Sequence, residues 1–125
     1  MTKAKNRNWF DKHLNDMYVL KSKTEGYRSR ASYKLLEILQ GKNLIQRNDV
    51  VVDLGSAPGG WSQVARKFVG SKGRVLALDI LDMSSIPGVD FICGDFSDEE
   101  VYRKLACQVE NEEVNVVISD IAPNI

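Results

Sequence analysis

The stretch Val50-Val51-Val52-Asp53-Leu54-Gly55-Ser56-Ala57-Pro58-Gly59-Gly60-Trp61 decides the fold of this 125-residue chain. It begins with β-branched residues, which are typical of a strand buried on both faces of a parallel sheet. It continues into a glycine-rich turn that permits positive φ angles and close approach of a ligand to the backbone. Apolar residues then recur at one-sided helical spacing over residues 62–69. The stretch therefore predicts a β-loop-α unit, and in open α/β sheets ligands bind at the carboxyl ends of such strands.

The turn departs from the dinucleotide fingerprint G-x-G-x-x-G at one informative position. Read from Gly55, Ala57 stands where the fingerprint has its second glycine, the one that lets a pyrophosphate approach the backbone. S-adenosylmethionine contains no pyrophosphate, so the turn favours this cofactor over NAD. Two alternatives remain open on this pattern alone. The turn could be an ordinary tight turn of a Rossmann-like domain, or it could belong to a nicotinamide-dependent oxidoreductase.

Aspartates also follow three further apolar runs. Together with the apolar run before Asp53, these three runs predict four strands near residues 49–54, 73–79, 89–93 and 114–119. Asp79 comes 26 residues after Asp53, about the interval at which an acidic residue meets the ribose hydroxyls of a bound nucleotide. Asp95 is placed to accept a hydrogen bond from an adenine amino group, and Asp120 lies at the tip of the fourth strand. We expect all four carboxylates at one edge of the sheet, around a nucleoside.

The remaining pattern predicts one α/β domain preceded by a basic arm. Residues 1–26 are polar and basic with little periodicity, and residues 27–125 form the Rossmann-like domain. Helices are predicted near residues 29–41, 59–69 and 97–108. Ser29 or Ser32 is expected to cap the first helix, and Gly41 to end it. Lys34 lies beside the apolar face of that helix, with Glu37 as a possible partner.

Charge is segregated along the chain although the formal net charge is zero. Residues 1–47 contain 11 Lys or Arg against 4 Asp or Glu, whereas residues 48–125 contain 6 against 13. Aromatic residues are interleaved with the basic ones, and cations attract phosphate while rings stack on unpaired bases. A solvated basic arm without a partner is the alternative. The candidate RNA-binding residues are Lys3, Lys5, Arg7, Lys12, Arg28 and Arg30.

Three motifs taken together resemble a known family. They are Arg28-Ser29-Arg30-Ala31 with Lys34, the run from Asp53 to Trp61, and Ser119-Asp120-Ile121-Ala122-Pro123-Asn124. The chain resembles the FtsJ-type ribosomal RNA large subunit methyltransferases over essentially its whole length. The resemblance implies a Rossmann-like, class I methyltransferase fold. It also implies transfer of a methyl group from S-adenosylmethionine to the ribose 2′-oxygen of a uridine in large-subunit ribosomal RNA, a step that supports late ribosome assembly.

The resemblance also implies roles for individual residues. The S-adenosylmethionine contacts of the family match Gly59, Trp61, Asp79, Asp95 and Asp120, with Asp53 and Gly55 in support. Two members of its Lys-Asp-Lys-Glu catalytic tetrad match Lys34 and Asp120. The family usually assigns proton removal to its second lysine, with the first lysine orienting the acceptor or assisting electrostatically.

The length of the chain departs from the family pattern. The second lysine and the glutamate of the tetrad lie further along in the family, and the chain stops at Ile125. Only four strands of the seven-stranded family sheet can be placed, in the expected order 3-2-1-4. We expect the fourth strand to be an exposed apolar edge and the chain to be a truncated product or fragment. We also expect it to bind cofactor without efficient turnover; a silent fragment that binds S-adenosylmethionine and RNA is thus the main alternative function.

Other residue types restrict the remaining function classes. Cys93, Cys107 and His13 show no metal-ligand spacing, so no metal site is predicted. No run of 18 apolar residues and no secretory leader is present, which predicts a cytoplasmic protein with reduced thiols and no membrane partner. The expected partner is large-subunit ribosomal RNA within the large ribosomal subunit, and the expected state is a monomer.

Overall fold

The computed structural model describes residues 26–121. The predicted basic arm, with Lys3, Lys5, Arg7 and Lys12, therefore lies outside the described residues apart from Gly26, as do Pro123 and Asn124. The described helices are α1 (Ala31–Leu39), α2 (Gly60–Val69) and α3 (Glu99–Gln108), and the strands are β1 (Val50–Leu54), β2 (Arg74–Asp79), β3 (Val89–Cys93) and β4 (Val116–Ser119).

The four strands form one parallel sheet in the order β3-β2-β1-β4, which confirms the predicted α/β class and strand order. β1 lies between β2 and β4, with Asp53 aligned with Ala77 on one side and Ile118 on the other. Because all strands run in the same direction, their carboxyl ends share one edge of the sheet. This edge carries the glycine-rich turn.

Two helices cover one face of the sheet and form the core with it. The buried cluster includes Leu35 and Leu39 of α1 and Val64 of α2, packed on Val51 and Val75. Residues recurring three or four positions apart give each helix this apolar stripe. Helix α3 differs, since none of its residues is buried. The core that fixes the carboxyl-end edge is thus built by α1, α2 and the two central strands.

Helix α1 begins two residues later than predicted, and the serine cap that was predicted for it is wrong. Its N-cap residue is Arg30, whose side chain makes no capping hydrogen bond. A Cβ atom added to Gly60 would lie 2.5 Å from the hydroxyls of both Ser29 and Ser32. The hydroxyl of Ser32 is buried and has no hydrogen-bond partner among the described residues. Packing of α1 against the start of α2 has therefore overridden the usual capping preference of serine.

Candidate functional site

The turn after β1 is held in place by the neighbouring strand. The amides of Gly55 and Ser56 both donate to the carbonyl oxygen of Leu78, at 2.8 and 3.1 Å. Gly55 adopts a φ of 75°, and a Cβ atom there would lie 2.3 Å from the side chain of Ile121. Gly59 adopts a φ of 116° immediately before α2. Both glycines are therefore required by backbone conformation and close packing.

Asp79 organises two loops at the carboxyl ends of the strands. Its Oδ2 accepts a hydrogen bond from the amide of Ala57 at 2.8 Å, and its Oδ1 accepts one from Leu81 at 3.0 Å. Each carboxylate oxygen retains a second lone pair for a further donor. The carboxylate is consequently fixed in orientation, and it lines the larger of two adjoining cavities.

The larger cavity has a volume of about 400 Å³, which is within the range of small-molecule sites. Its lining is predominantly apolar, with two carboxylates: Leu54, Gly55, Leu78, Asp79, Ile80, Leu81, Gly94, Asp95, Phe96 and Ile121. Apolar walls with a few polar groups are the usual composition of a small-molecule or cofactor site. The structure thus brings the predicted Asp79 and Asp95 to one cavity at the sheet edge.

Asp95 is exposed and locally ordered. Its Oδ1 accepts hydrogen bonds from the amide of Ser97 at 2.9 Å and the hydroxyl of Ser97 at 2.8 Å. These bonds stabilise the ionised form and lower the pKa of Asp95 below its usual value. Both bonds use Oδ1, so the other oxygen is the one available to accept from a ligand.

The smaller cavity, about 60 Å³, continues along the same turn toward α1. Its lining consists of Ser29, Ala31, Asp53, Gly55, Ser56, Ala57, Pro58, Gly60, Trp61 and Asp120. Gly55 lines both cavities, which therefore adjoin at the first glycine of the turn. A ligand longer than a nucleoside could extend from one cavity into the other.

Asp53 is the buried carboxylate of this smaller cavity. The hydroxyl of Ser62 donates to its Oδ2 at 2.7 Å. Burial is the main cause that raises the pKa of Asp53 to about 6; the Ser62 bond opposes the rise, and the nearby charges of Asp120 and Asp79 add to it. The cavity therefore favours a cationic ligand group, which would stabilise these carboxylates in their charged form.

Trp61 has a packing role and also lines the smaller cavity. Its indole Nε1 donates to the carbonyl oxygen of Ala31 at 2.7 Å, which ties α2 to the start of α1. The side chain is 8% exposed. The tryptophan therefore fixes the position of α1, and with it the side chain of Lys34, relative to the glycine-rich turn.

Lys34 lies against Asp120, although the two are 86 residues apart in sequence. Lys34 Nζ is 3.3 Å from Asp120 Oδ1, with the lysine side chain 64% exposed and the aspartate 34% exposed. An ion pair this exposed contributes little to stability. It does place an ammonium group and a carboxylate together at the mouth of the smaller cavity, which is lined by Asp120.

The two described arginines of the RNA-binding prediction lie next to this site. Arg30 is exposed, whereas the guanidinium of Arg28 donates to backbone carbonyl oxygens of Pro58, Ser84 and Ser85. Sequence reasoning missed these carbonyl contacts and the role of Ser62. The position of Ser62 on the first turn of the helix after Asp53 was a signal for its role. The contacts of Arg28 gave no such signal, because the pattern of side chains does not indicate which backbone carbonyl oxygens accept hydrogen bonds.

Residues 26–121 show neither a metal centre nor a membrane-spanning helix. No group of three or more His, Cys, Asp or Glu side chains in this range is arranged to hold a metal ion. No helix in the same range combines the length and apolar character needed to cross a membrane.

Known proteins share both the sequence and the fold of this chain. The family described as FtsJ-like methyltransferase matches residues 27–125. Ribosomal RNA large subunit methyltransferase E of Marinobacter nauticus is 56% identical over 124 residues, covering 99% of this chain and 59% of the relative. The protein of the same name from Azoarcus sp. is 54% identical over 117 residues, covering 94% of this chain and 57% of the relative.

A solved structure agrees with these relatives. A crystal structure described as a ribosomal RNA methyltransferase of Plasmodium falciparum superposes with a TM-score of 0.68 at 29% identity, covering 79% of this chain and 58% of that one. The chain spans about three fifths of the length of the curated relatives it matches. With the parallel sheet, the glycine-rich turn and the carboxylates described above, these matches show that the chain belongs to the FtsJ-like methyltransferase family.

Proposed function

We propose that this chain binds S-adenosylmethionine in the two adjoining cavities and serves 2′-O-methylation of a ribose in large-subunit ribosomal RNA. The observation that carries the proposal is the convergence of Asp53, Asp79, Asp95 and Asp120 on these cavities, with Lys34 paired to Asp120. The larger cavity is suited to adenosine. The smaller one, lined by Asp53 and Asp120, is suited to the cationic methionine end.

Electrostatics favour this cofactor over a dinucleotide. Burial is the main cause that raises the pKa of Asp53, and the negative charges of Asp120 and Asp79 near the turn raise it further. The ammonium and sulfonium groups of S-adenosylmethionine would relieve this repulsion, whereas a pyrophosphate would add to it. Ala57 in place of the second fingerprint glycine supports the same choice.

The residues at the mouth of the smaller cavity fit a part in methyl transfer. Bound S-adenosylmethionine supplies a methyl group on a good leaving group, so the reaction depends chiefly on orienting the 2′-hydroxyl and removing its proton. We assign to Lys34 the stabilisation of the acceptor oxygen, and to Asp120 the orientation of the Lys34 ammonium group. The general base of the family is its second lysine, which matches none of the 125 residues.

The finer features of the substrate are also proposals. The relatives are named for large-subunit ribosomal RNA, and exposed Lys34 provides positive charge at the mouth of the smaller cavity, with Arg30 exposed at the start of the same helix. We propose a uridine of that RNA as the acceptor, the large ribosomal subunit as the context, a monomeric enzyme and a cytoplasmic location. Aromatic residues of the segment before residue 26 could stack on unpaired bases.

Calorimetric titration of the 125-residue chain with S-adenosylmethionine, S-adenosylhomocysteine and NAD tests the proposal. We expect binding of the first two and not of NAD. Asp79→Ala removes two loop hydrogen bonds and a ligand acceptor, so it should weaken binding about 10- to 100-fold, as expected for charge-assisted hydrogen bonds. Glu113→Ala, an exposed carboxylate ahead of β4, is the matched control and should change nothing. Binding of NAD without S-adenosylmethionine would overturn the proposal in favour of an oxidoreductase.

A further inference from the structure

We infer that Arg28 is a positioning residue that clamps one wall of the cofactor cavity through backbone carbonyls; this inference rests on the proposed function. The wall in question is the segment 80–86, which is the greater part of the connection between β2 and β3 and contains no helix or strand. A segment of this kind has few internal hydrogen bonds, so its position depends on contacts from elsewhere in the molecule.

The guanidinium of Arg28 joins two loops at once. Its Nη1 donates to the carbonyl oxygen of Pro58 at 3.2 Å and to that of Ser84 at 2.5 Å, and its Nη2 donates to that of Ser85 at 2.7 Å. The planar fork of arginine suits such divided contacts, which an ammonium group cannot reproduce with the same geometry. The contacts connect the glycine-rich turn to the far end of the segment 80–86.

The backbone of Arg28 is itself anchored to α2. Its amide donates to Gln63 Oε1 at 2.8 Å, and Gln63 Nε2 donates back to the carbonyl oxygen of Gly26 at 3.1 Å. Trp61 holds the same segment through Ala31. The backbone of Arg28 is therefore fixed relative to the first turn of α2. Its guanidinium can hold the segment 80–86 in position as well as pack against it.

The stem of Arg28 packs where the two loops meet. A Cβ atom added to Gly59 would lie 3.3 Å from Arg28 Cδ, 3.4 Å from Met83 Sδ and 2.6 Å from Ile86 Cδ1. The glycine-rich turn and the segment 80–86 are thus in direct contact beneath the arginine. Loss of the side chain would remove this packing together with the hydrogen bonds.

The clamped segment forms a wall of the adenosine-sized cavity. Leu81 lines that cavity and also lines a neighbouring cleft of about 500 Å³ that contains Arg28 and Ser84. The near end of the wall is fixed by Asp79, which accepts from the Leu81 amide, and the far end is fixed by Arg28. Arg28 thus acts on the cofactor through Leu81, which is a different role from the RNA contact predicted from its charge.

Calorimetry on three variants tests the clamp. Arg28→Ala should weaken the binding of S-adenosylhomocysteine and of 5′-methylthioadenosine about tenfold each, because both use the adenosine cavity. Arg28→Lys, which keeps the charge and loses the fork, should fall between Arg28→Ala and the unsubstituted chain. Arg103→Ala, which removes an exposed arginine of α3, is the charge-matched control and should leave both affinities unchanged.

Amide hydrogen exchange gives a second readout that needs no cofactor. Residues 82–86 should exchange faster in Arg28→Ala and Arg28→Lys, while the central strands keep their protection. Unchanged exchange of residues 82–86 in Arg28→Ala would overturn the inference that Arg28 holds this segment. An Arg28→Ala protein with lower RNA affinity and unchanged affinity for 5′-methylthioadenosine would overturn it as well. Failure of the unsubstituted chain to bind any adenosine ligand would instead overturn the proposed function, and faster exchange of residues 82–86 would still support the clamp. A global loss of protection in Arg28→Lys would refute a local role.

Discussion

At the residue scale, the buried carboxylate of Asp53 lowers the stability of the fold at neutral pH. Burial raises its pKa from 3.8 to about 6, so the folded chain binds more protons than the unfolded chain between these two values. The free energy of unfolding contributed by this group therefore falls as the pH rises from about 4 to about 6, and stays low above that interval. At pH 7, the raised pKa of Asp53 therefore lowers the free energy of unfolding by about 3 kcal/mol. Under the proposed function, the cationic methionine end of S-adenosylmethionine would stabilise the charged form of this carboxylate.

Asp53→Asn should show how much the buried charge of Asp53 lowers the free energy of unfolding. The amide keeps an acceptor for Ser62 and removes the buried charge, so we expect the free energy of unfolding at pH 7.5 to rise by up to about 3 kcal/mol. Below pH 4 the gain should vanish. Denaturant unfolding of Asp53→Asn and of the unsubstituted chain at pH 4, 5.5 and 7.5 measures this difference in the free energy of unfolding. The contributions of other titrating groups cancel when the two proteins are compared.

The same substitution should weaken cofactor binding at neutral pH. In the unsubstituted chain, the affinity for S-adenosylmethionine should also decline as the pH falls through about 6, because a proton on Asp53 competes with the cationic ligand. Asp53→Asn should lose that pH dependence. An Asp53→Asn protein that binds as tightly as the unsubstituted chain at pH 7.5 would show that this carboxylate does not contact the methionine end.

Individual residues differ in how far their roles could be predicted from sequence. Asp79 and Asp120 were predictable as edge residues because each ends an apolar run, and strand direction then brings them together. The pairing of Lys34 with Asp120 required the motif resemblance, because their separation in sequence gives no local signal. The environment of Arg28 was not predictable, since its acceptors are backbone carbonyls in a segment without periodicity.

At the element scale, β4 is a sheet edge that exposes a large apolar side chain. Among the described residues it pairs with β1 alone, and Val117 is 59% exposed. Its neighbours Val116 and Ile118 point the other way and pack against the core. An exposed apolar edge strand offers unpaired backbone groups to another chain. Self-association of the 125-residue chain through β4 is therefore expected at high concentration.

Val117→Lys should reduce this self-association without changing cofactor affinity. The charge lies on the exposed face of an edge strand, where lysine is a common natural defence against strand pairing. Val116→Lys places the same charge against the core and should destabilise the fold instead. Sedimentation velocity across a concentration series distinguishes these outcomes. Equal association of Val117→Lys and the unsubstituted chain would mean that β4 is not the contact.

The elements themselves were largely predictable, and their ends were less so. Strands β1 to β4 match the predicted ranges within two residues, because continuous β-branched runs are a strong signal of buried parallel strands. The start of α1 was misplaced because serine was expected to cap a free helix end. Gly60 instead brings α2 so close that the hydroxyl of Ser32 is buried by packing.

At the scale of the whole molecule, charged groups are distributed unevenly around the candidate site. Asp53, Asp79 and Asp95 line the two cavities, whereas the Lys34–Asp120 pair lies at the mouth of the smaller one. The Marinobacter relative is longer, since the matched region covers 59% of it. In the family that the motifs resemble, the second lysine and the glutamate of the tetrad lie further along the sequence than the aspartate that matches Asp120.

A chimera tests whether these two residues contribute to the reaction. We expect that joining the unmatched carboxyl-terminal part of the Marinobacter relative after Ile125 will cover β4 and supply a general base. Transfer of labelled methyl groups to large-subunit ribosomal RNA should then exceed that of the 125-residue chain by about 100-fold or more, the usual contribution of general-base catalysis. In the chimera, Lys34→Ala should abolish most of this gain while changing the free energy of unfolding by under about 1 kcal/mol, because the Lys34–Asp120 pair is exposed. Equal turnover with and without Lys34 would remove it from the reaction, and equal turnover of chimera and chain would mean that residues 1–125 already contain the base.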